Sequence, residues 1–132
     1  MDDFNQAESL LRLADVDFSA LGGMGNQRIF ADSIFGFHVQ QAVEKALKAW
    51  IDGLGIAYPL THDLARLMAV LETNGATTGA FVALTRFTPF AVQARYEEGI
   101  VTPSDPLDRP AIVAEVSALL EHVRRQVETL SR

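Results

Sequence analysis

Residues 37–49, FHVQQAVEKALKA, constrain the fold of this chain more than any other segment. They contain no glycine or proline, and their apolar residues recur at helical spacing. We predict a helix over about residues 28–53. Its broad apolar face consists of Phe35, Val39, Ala42, Val43, Ala46 and Trp50. Because Leu47 and Ile51 fall outside that face, we expect a central helix that contacts neighbours on two sides.

A narrow polar stripe lies on roughly the opposite side of this predicted helix. It consists of His38, Gln41, Lys45 and Lys48. The chain has no other lysine, and its formal net charge is −6. An acidic protein has no overall attraction for phosphates, so a nucleotide site would have to be a local basic patch. The polar stripe is either such a patch or a solvated face on which Glu44 pairs with Lys48 four residues later.

Four further segments are predicted to be helices. Three of them cover about residues 3–21, 62–74 and 78–97. The last helix follows a cap at Asp108, has Pro110 in its first turn and ends at about residue 130. Thr61 is expected to cap the third helix. Its buried face is expected to consist of Leu64, Leu67, Met68 and Leu71. In the fourth, Pro89 predicts a kink or a break near residues 87–89.

These elements predict the fold class. No segment alternates with period two for long enough to indicate a strand. Short loops between amphipathic helices favour an all-α, antiparallel up-and-down bundle of four to five helices. With 132 residues, the chain is expected to form one domain over residues 1–132.

Composition excludes several classes of protein. The chain has no cysteine, which excludes disulfides and thiolate metal sites and fits a cytoplasmic location. No run of 18 apolar residues and no signal peptide are evident, so we expect no membrane association. His38, His62 and His122 do not form an i, i+4 pair, and no glycine-rich phosphate loop precedes a lysine. We therefore predict neither a metal nor a cofactor.

Three blocks of sequence, in order and at suitable spacing, resemble the HEPN domain (higher eukaryotes and prokaryotes nucleotide-binding). They are residues 37–49, residues 59–64 (PLTHDL) and residues 94–96 (ARY). The resemblance implies a bundle of four or five helices that is often dimeric. Many bacterial members are encoded beside a minimal nucleotidyltransferase, and nucleotide binding was proposed from that association. Other members are metal-independent ribonucleases of toxin–antitoxin systems.

The sequence departs from the ribonuclease members of this family. Their signature is an arginine followed four to six residues later by a histidine. Arg95 is followed by YEEGIV, and no other arginine precedes a histidine at that distance. The resemblance therefore implies a HEPN scaffold without the usual ribonuclease signature.

Two pairs of neighbouring residues are further site candidates. His62 and Asp63 either join a polar cluster facing the polar stripe or cap a helix and fix its loop by a buried hydrogen bond. Arg95 either holds a phosphate or carboxylate in a forked contact or pairs with an acidic side chain between two helices. Tyr96 is either at the site or in the core with its hydroxyl at the rim.

The leading interpretation is a cytoplasmic HEPN homodimer that binds a nucleotide or a nucleotidyltransferase partner, in a two-gene system such as a toxin–antitoxin pair. Its groove would be lined by Gln41, Lys45 and Lys48, with His62 and Arg95 nearby. The alternative is a metal-independent endoribonuclease with an atypical site. There His62 would be the general acid or base and Arg95 would stabilise the phosphorane. A third interpretation is a structural partner that covers another protein and has no site chemistry.

Overall fold

The computed structural model describes residues 3–26, 28–91 and 107–130, with side chains from residue 6 onward. All regular elements in these ranges are helices, and no strand occurs among them, which confirms the all-α prediction. The elements are α1 (Asp3–Gly22), α2 (Asp32–Gly53), α3 (Leu64–Thr73), a 3₁₀ helix η1 (Gly79–Ala91) and α4 (Arg109–Leu130). None of the described helices is long and apolar enough to span a membrane.

Helix α2 is the centre of the bundle and contacts α1, α3, η1 and α4. The two-sided burial predicted for it is confirmed, because its whole predicted apolar face is buried together with Leu47 and Ile51. Helix α1 runs antiparallel to α2. Gln6, near its start, bonds Tyr58 beyond the end of α2, and Asp17, near its end, contacts His38 early in α2.

The first turn of α2 was predicted four residues too early. Residues 28–31 form a turn instead, because the Asn26 side chain accepts a hydrogen bond from the Arg28 backbone N–H at 2.8 Å. The Asn26 carbonyl then accepts from the backbone N–H groups of Ile29 and Phe30. An asparagine that bonds the following backbone in this way competes with the helix. Helix α2 therefore begins at Asp32.

The cap of α3 is Asp63, and the prediction of Thr61 was wrong. Asp63 Oδ1 accepts hydrogen bonds from the backbone N–H groups of Ala65 and Arg66, at 3.0 and 3.4 Å. The Thr61 hydroxyl accepts from the Asp63 N–H at 3.1 Å and so supports the capping residue from two residues earlier. Aspartate caps helices better than threonine does. The predicted buried face of α3 is confirmed.

The fourth helix differs most from its prediction. Residues 79–91 form a 3₁₀ helix that continues through Pro89 instead of breaking there, and residues 92–97 lie outside the described part of the chain. Its buried side chains are Leu84, Phe87 and Phe90. They are three residues apart, which aligns them on one side of a helix with three residues per turn. Burial of this row is consistent with three residues per turn.

Helix α4 closes the bundle and is anchored at its first residue. Asp108 caps it as predicted, accepting from the Ala111 backbone N–H at 3.2 Å. Arg109 is buried and donates to the Met24 and Phe30 carbonyls at 2.5 and 2.6 Å and to Asp32 Oδ1 at 2.8 Å. The planar guanidinium thus ties the start of α4 to the loop between α1 and α2.

Candidate functional site

Two buried carboxylates divide the polar stripe into two separate clusters. In the first, which we call the Asp17 cluster, α1 supplies a buried aspartate to the side of α2 that carries His38 and Lys45. Asp17 Oδ2 lies 2.7 Å from Lys45 Nζ, and Asp17 Oδ1 is hydrogen-bonded to His38 Nδ1 at 3.0 Å. One carboxylate therefore joins two of the predicted site residues and links α1 to α2.

The second, the Glu44 cluster, is centred on a buried glutamate of α2. Lys48 Nζ lies 2.7 Å from Glu44 Oε2, which confirms the expected pairing of these residues. His62 Nδ1 and Gln40 Nε2 lie 2.9 and 2.7 Å from Glu44 Oε1. Gln40 also donates to the His62 carbonyl at 3.3 Å and accepts from Gln41 Nε2 at 2.7 Å. The cluster fastens the loop before α3 to α2.

Glu44 is held in its charged form. Burial by itself raises the pKa of this carboxyl, but hydrogen bonds from Lys48, Gln40 and His62 outweigh burial and leave the pKa below its usual value. Its main cation is also enclosed: the Lys48 side chain is only 12% exposed, and its ammonium lies 5.4 Å from the centre of the Tyr58 ring.

His62 is the most accessible member of the Glu44 cluster, with 66% of its side chain exposed. Its Nδ1 faces the Glu44 carboxylate, and its Nε2 bonds no other described residue. A carboxylate that fixes one ring nitrogen while the other stays open is the arrangement that orients a general base. Asp63 points elsewhere, because its carboxylate caps α3.

The predicted site residues are thus only partly brought together. His38 and Lys45 share Asp17, whereas Lys48 and His62 share Glu44 and Gln41 joins them through Gln40. Arg95 and Tyr96 lie outside the described residues. Sequence analysis missed the role of Asp17 and of buried Gln40. A spacing of four residues from Gln40 to Glu44 could have indicated a shared face, but nothing local indicates Asp17.

The lysine and carboxylate charges of the two clusters balance. Two lysines face two carboxylates, and all four belong to the hydrogen bonds described above. Among the described residues, no group of three or more histidine, aspartate and glutamate side chains is placed to hold a metal ion. The side chains of the two clusters offer hydrogen bonding, and the exposed His62 offers proton transfer at their rim.

The family model of the HEPN domain matches residues 4–129. The chain belongs to the HEPN domain family. The matched range includes all five described helices, except for Asp3 at the start of α1 and Leu130 at the end of α4. A search of curated proteins gave no significant match, and a search of solved structures gave none either. The family therefore accounts for the fold, and the polar clusters have to be interpreted from their own geometry.

Proposed function

We propose that this HEPN domain is an interaction module that binds a nucleotidyltransferase partner through the surface around the polar stripe. The observation that carries the proposal is the charge balance of the Asp17 and Glu44 clusters. Each lysine of the stripe is already held by a carboxylate at 2.7 Å. The stripe therefore offers hydrogen-bonding groups to a protein surface, but little net positive charge to a phosphate.

Electrostatics disfavour a nucleotide phosphate at the stripe. A phosphate that took Lys48 from Glu44 would leave a carboxylate of 8% exposure without its main cation. Breaking a buried pair in this way costs about 3–5 kcal/mol, which offsets most of the benefit of a new charge-assisted hydrogen bond of about 1.5–3 kcal/mol. A protein partner can instead use the half-exposed His38, Gln41 and Lys45 without separating any pair.

The proposal includes a homodimer in the cytoplasm, in a two-gene system of the toxin–antitoxin kind. Helix α1 carries exposed apolar side chains three residues apart, Leu13 and Val16, at 51% and 67% exposure. They lie in the segment that also supplies Asp17, so an apolar contact would sit beside the polar stripe. Apolar side chains beside hydrogen-bonding groups are typical of protein interfaces.

The test is co-purification with the product of the neighbouring reading frame, which the proposal predicts to be a minimal nucleotidyltransferase. We expect a stable complex that Val16→Asp weakens at least tenfold, whereas Val82→Asp, an exposed apolar position on η1, leaves it unchanged. Light scattering measures the dimer in the same samples. Calorimetry with nucleoside triphosphates is the opposing test. Strong binding that Lys45→Met abolishes, without any protein complex, would refute the interaction module.

A second function, metal-independent RNA cleavage, is favoured by the geometry of His62. With Nδ1 on Glu44, His62 Nε2 could accept the proton of a 2′-hydroxyl as its oxygen attacks the adjacent phosphorus and the 5′-oxygen leaves. Arg95 is the cation proposed to stabilise the phosphorane. Single-stranded RNA is incubated in chelator with the wild type, His62→Ala and the control His38→Ala. Cleavage that only His62→Ala removes supports this function, and intact RNA with the wild type rejects it.

A further inference from the structure

A separate cleft opens between the end of α2, the turn after α3 and the second half of α4. Its volume is about 340 Å³, and its walls include Trp50, Asn74, Gly75, His122 and Gln126. It shares no residue with the Asp17 or Glu44 cluster. This cleft is therefore independent of the surface assigned to partner binding.

An aromatic wall on one side of the cleft is fixed by packing. The His122 ring packs edge-on against Trp50, with centroids 4.9 Å apart, and lies 5.2 Å from Phe81. Trp50 itself is almost wholly buried. A ring that enters the cleft therefore meets chiefly the His122 ring, which Trp50 and Phe81 already hold in place, and this lowers the entropy cost of binding.

The opposite wall is a rigid backbone turn. Gly75 has a φ of 90°, a value that favours glycine, and its N–H donates to the Glu72 carbonyl at 3.0 Å. The Ala76 N–H donates to the Leu71 carbonyl at 3.0 Å, which completes the double hydrogen bond of a helix C-terminus. Both walls are thus preformed.

The cleft is polar but carries no permanently charged side chain. Burial, and to a smaller extent the nearby Arg125, lower the pKa of His122, so its imidazole is neutral at pH 7. A neutral imidazole offers one donor and one acceptor. Neither the His122 ring nor the Trp50 indole N–H is hydrogen-bonded within the described residues. Asn74 and Gln126 also line the cleft, and the Asn74 amide nitrogen donates to the Val70 carbonyl at 2.8 Å.

We infer that this cleft binds a small, uncharged, planar heteroaromatic ring that carries both hydrogen-bond donors and acceptors. The aromatic wall matches a flat ring, and the neutral donors and acceptors match a carboxamide or ring nitrogen. A charged ligand would lose its hydration without gaining an opposite charge. The volume of about 340 Å³ is at the small end of ligand sites, which span roughly 300–1,000 Å³, so the ligand is one ring system with small substituents.

Trp50 makes the inference directly testable, because it is the only tryptophan of the chain. Its fluorescence is followed while nicotinamide, an uncharged pyridine carboxamide, is added to the full chain. We expect saturable quenching in the millimolar range, since a ligand of so few atoms has limited affinity. Nicotinate, which has a carboxylate in place of the carboxamide, should bind about tenfold more weakly.

Two variants separate a specific site from collisional quenching. His122→Phe keeps the ring packing but removes both ring nitrogens, and should weaken nicotinamide binding about tenfold. If His122→Phe does not fold, Gln126→Leu at the rim replaces it, with the same expectation. Arg12→Ala, an exposed site on α1, should bind as the wild type does. Three results would overturn the inference. They are linear quenching without saturation, binding by His122→Phe or its replacement Gln126→Leu that equals the wild type, and binding of nicotinate as strong as that of nicotinamide.

Discussion

Replacing Glu44 by glutamine should destabilise this HEPN domain strongly, although the two side chains have nearly the same shape. The substitution removes the negative charge that accepts hydrogen bonds from Lys48, Gln40 and His62. The Glu44 and Lys48 side chains are only 8% and 12% exposed, so solvent screens their interaction little. His62 is mostly exposed and contributes less.

The magnitude follows from the buried pair. Removing one member of such a pair costs about 3–5 kcal/mol. Because Lys48 retains some exposure and its ammonium can turn towards solvent, the lower end of about 3 kcal/mol is expected. For a domain of 132 residues this corresponds to a decrease in Tm of about 10 °C. Chemical unfolding followed by circular dichroism measures the free energy, and a thermal melt measures Tm.

Glu121→Gln is the matched control. Glu121 also contacts two cations, Arg124 and Arg125, but its side chain is 54% exposed. Its replacement should change the free energy of unfolding by less than about 0.5 kcal/mol. The pKa of Glu44 is lowered in the folded state, so its contribution is present above pH 4.5 and is lost as the pH falls through the folded value. Glu44→Gln and the wild type should therefore approach each other in stability as the pH falls below 4.5 and become similar below the folded-state pKa of Glu44. A Glu44→Gln variant as stable as the control at pH 7 would refute this reasoning.

Three further predictions concern other parts of the bundle. Gly36→Ala should lower the free energy of unfolding in urea by about 1–2 kcal/mol, because the added Cβ would lie 2.7 Å from Phe90 Cγ. Gly22→Ala is the control and should leave that free energy nearly unchanged, because no atom lies within 4 Å of its Cβ. Asp63→Ala should cost about 1 kcal/mol in the same assay, through loss of the α3 cap, and an unchanged value would contradict that role. Because the folded-state pKa of His122 is lowered from 6.5, the wild type should lose stability as the pH falls below that value. In thermal melts at decreasing pH, the Tm of His122→Phe should fall less than that of the wild type. Equal decreases in Tm would contradict a lowered pKa of His122.

The periodicity of α2 made its burial predictable from sequence. Apolar residues at helical spacing form one face, which is stable only when it is buried against a neighbouring helix. Because Leu47 and Ile51 lie outside that face, their burial required a second neighbour. The 3₁₀ helix was not predictable in the same way. The spacing of three between Leu84, Phe87 and Phe90 fits a 3₁₀ helix, but neighbours three residues apart also share a face of an α-helix.

The candidate site was less predictable than the fold. The pairing of Glu44 with Lys48 lies within one helix and could be inferred from spacing alone. Asp17 is separated by 21 and 28 residues from its partners His38 and Lys45, so only the packing of α1 on α2 brings them together. Charge patterning therefore found the basic groups of the polar stripe and the carboxylate of Glu44, but not that of Asp17.

The buried guanidinium of Arg109 also has a consequence for the order of folding. Its partners Met24, Phe30 and Asp32 are 77–85 residues away along the chain, whereas α1 and α2 are neighbours in sequence. Closing the shorter loop costs less entropy, so the α1–α2 hairpin should form before α4 docks on it. Interactions made after the transition state mainly slow unfolding. In stopped-flow kinetics, Arg109→Met should therefore unfold faster while its folding rate changes little, which makes Arg109 a determinant of how long the native bundle persists.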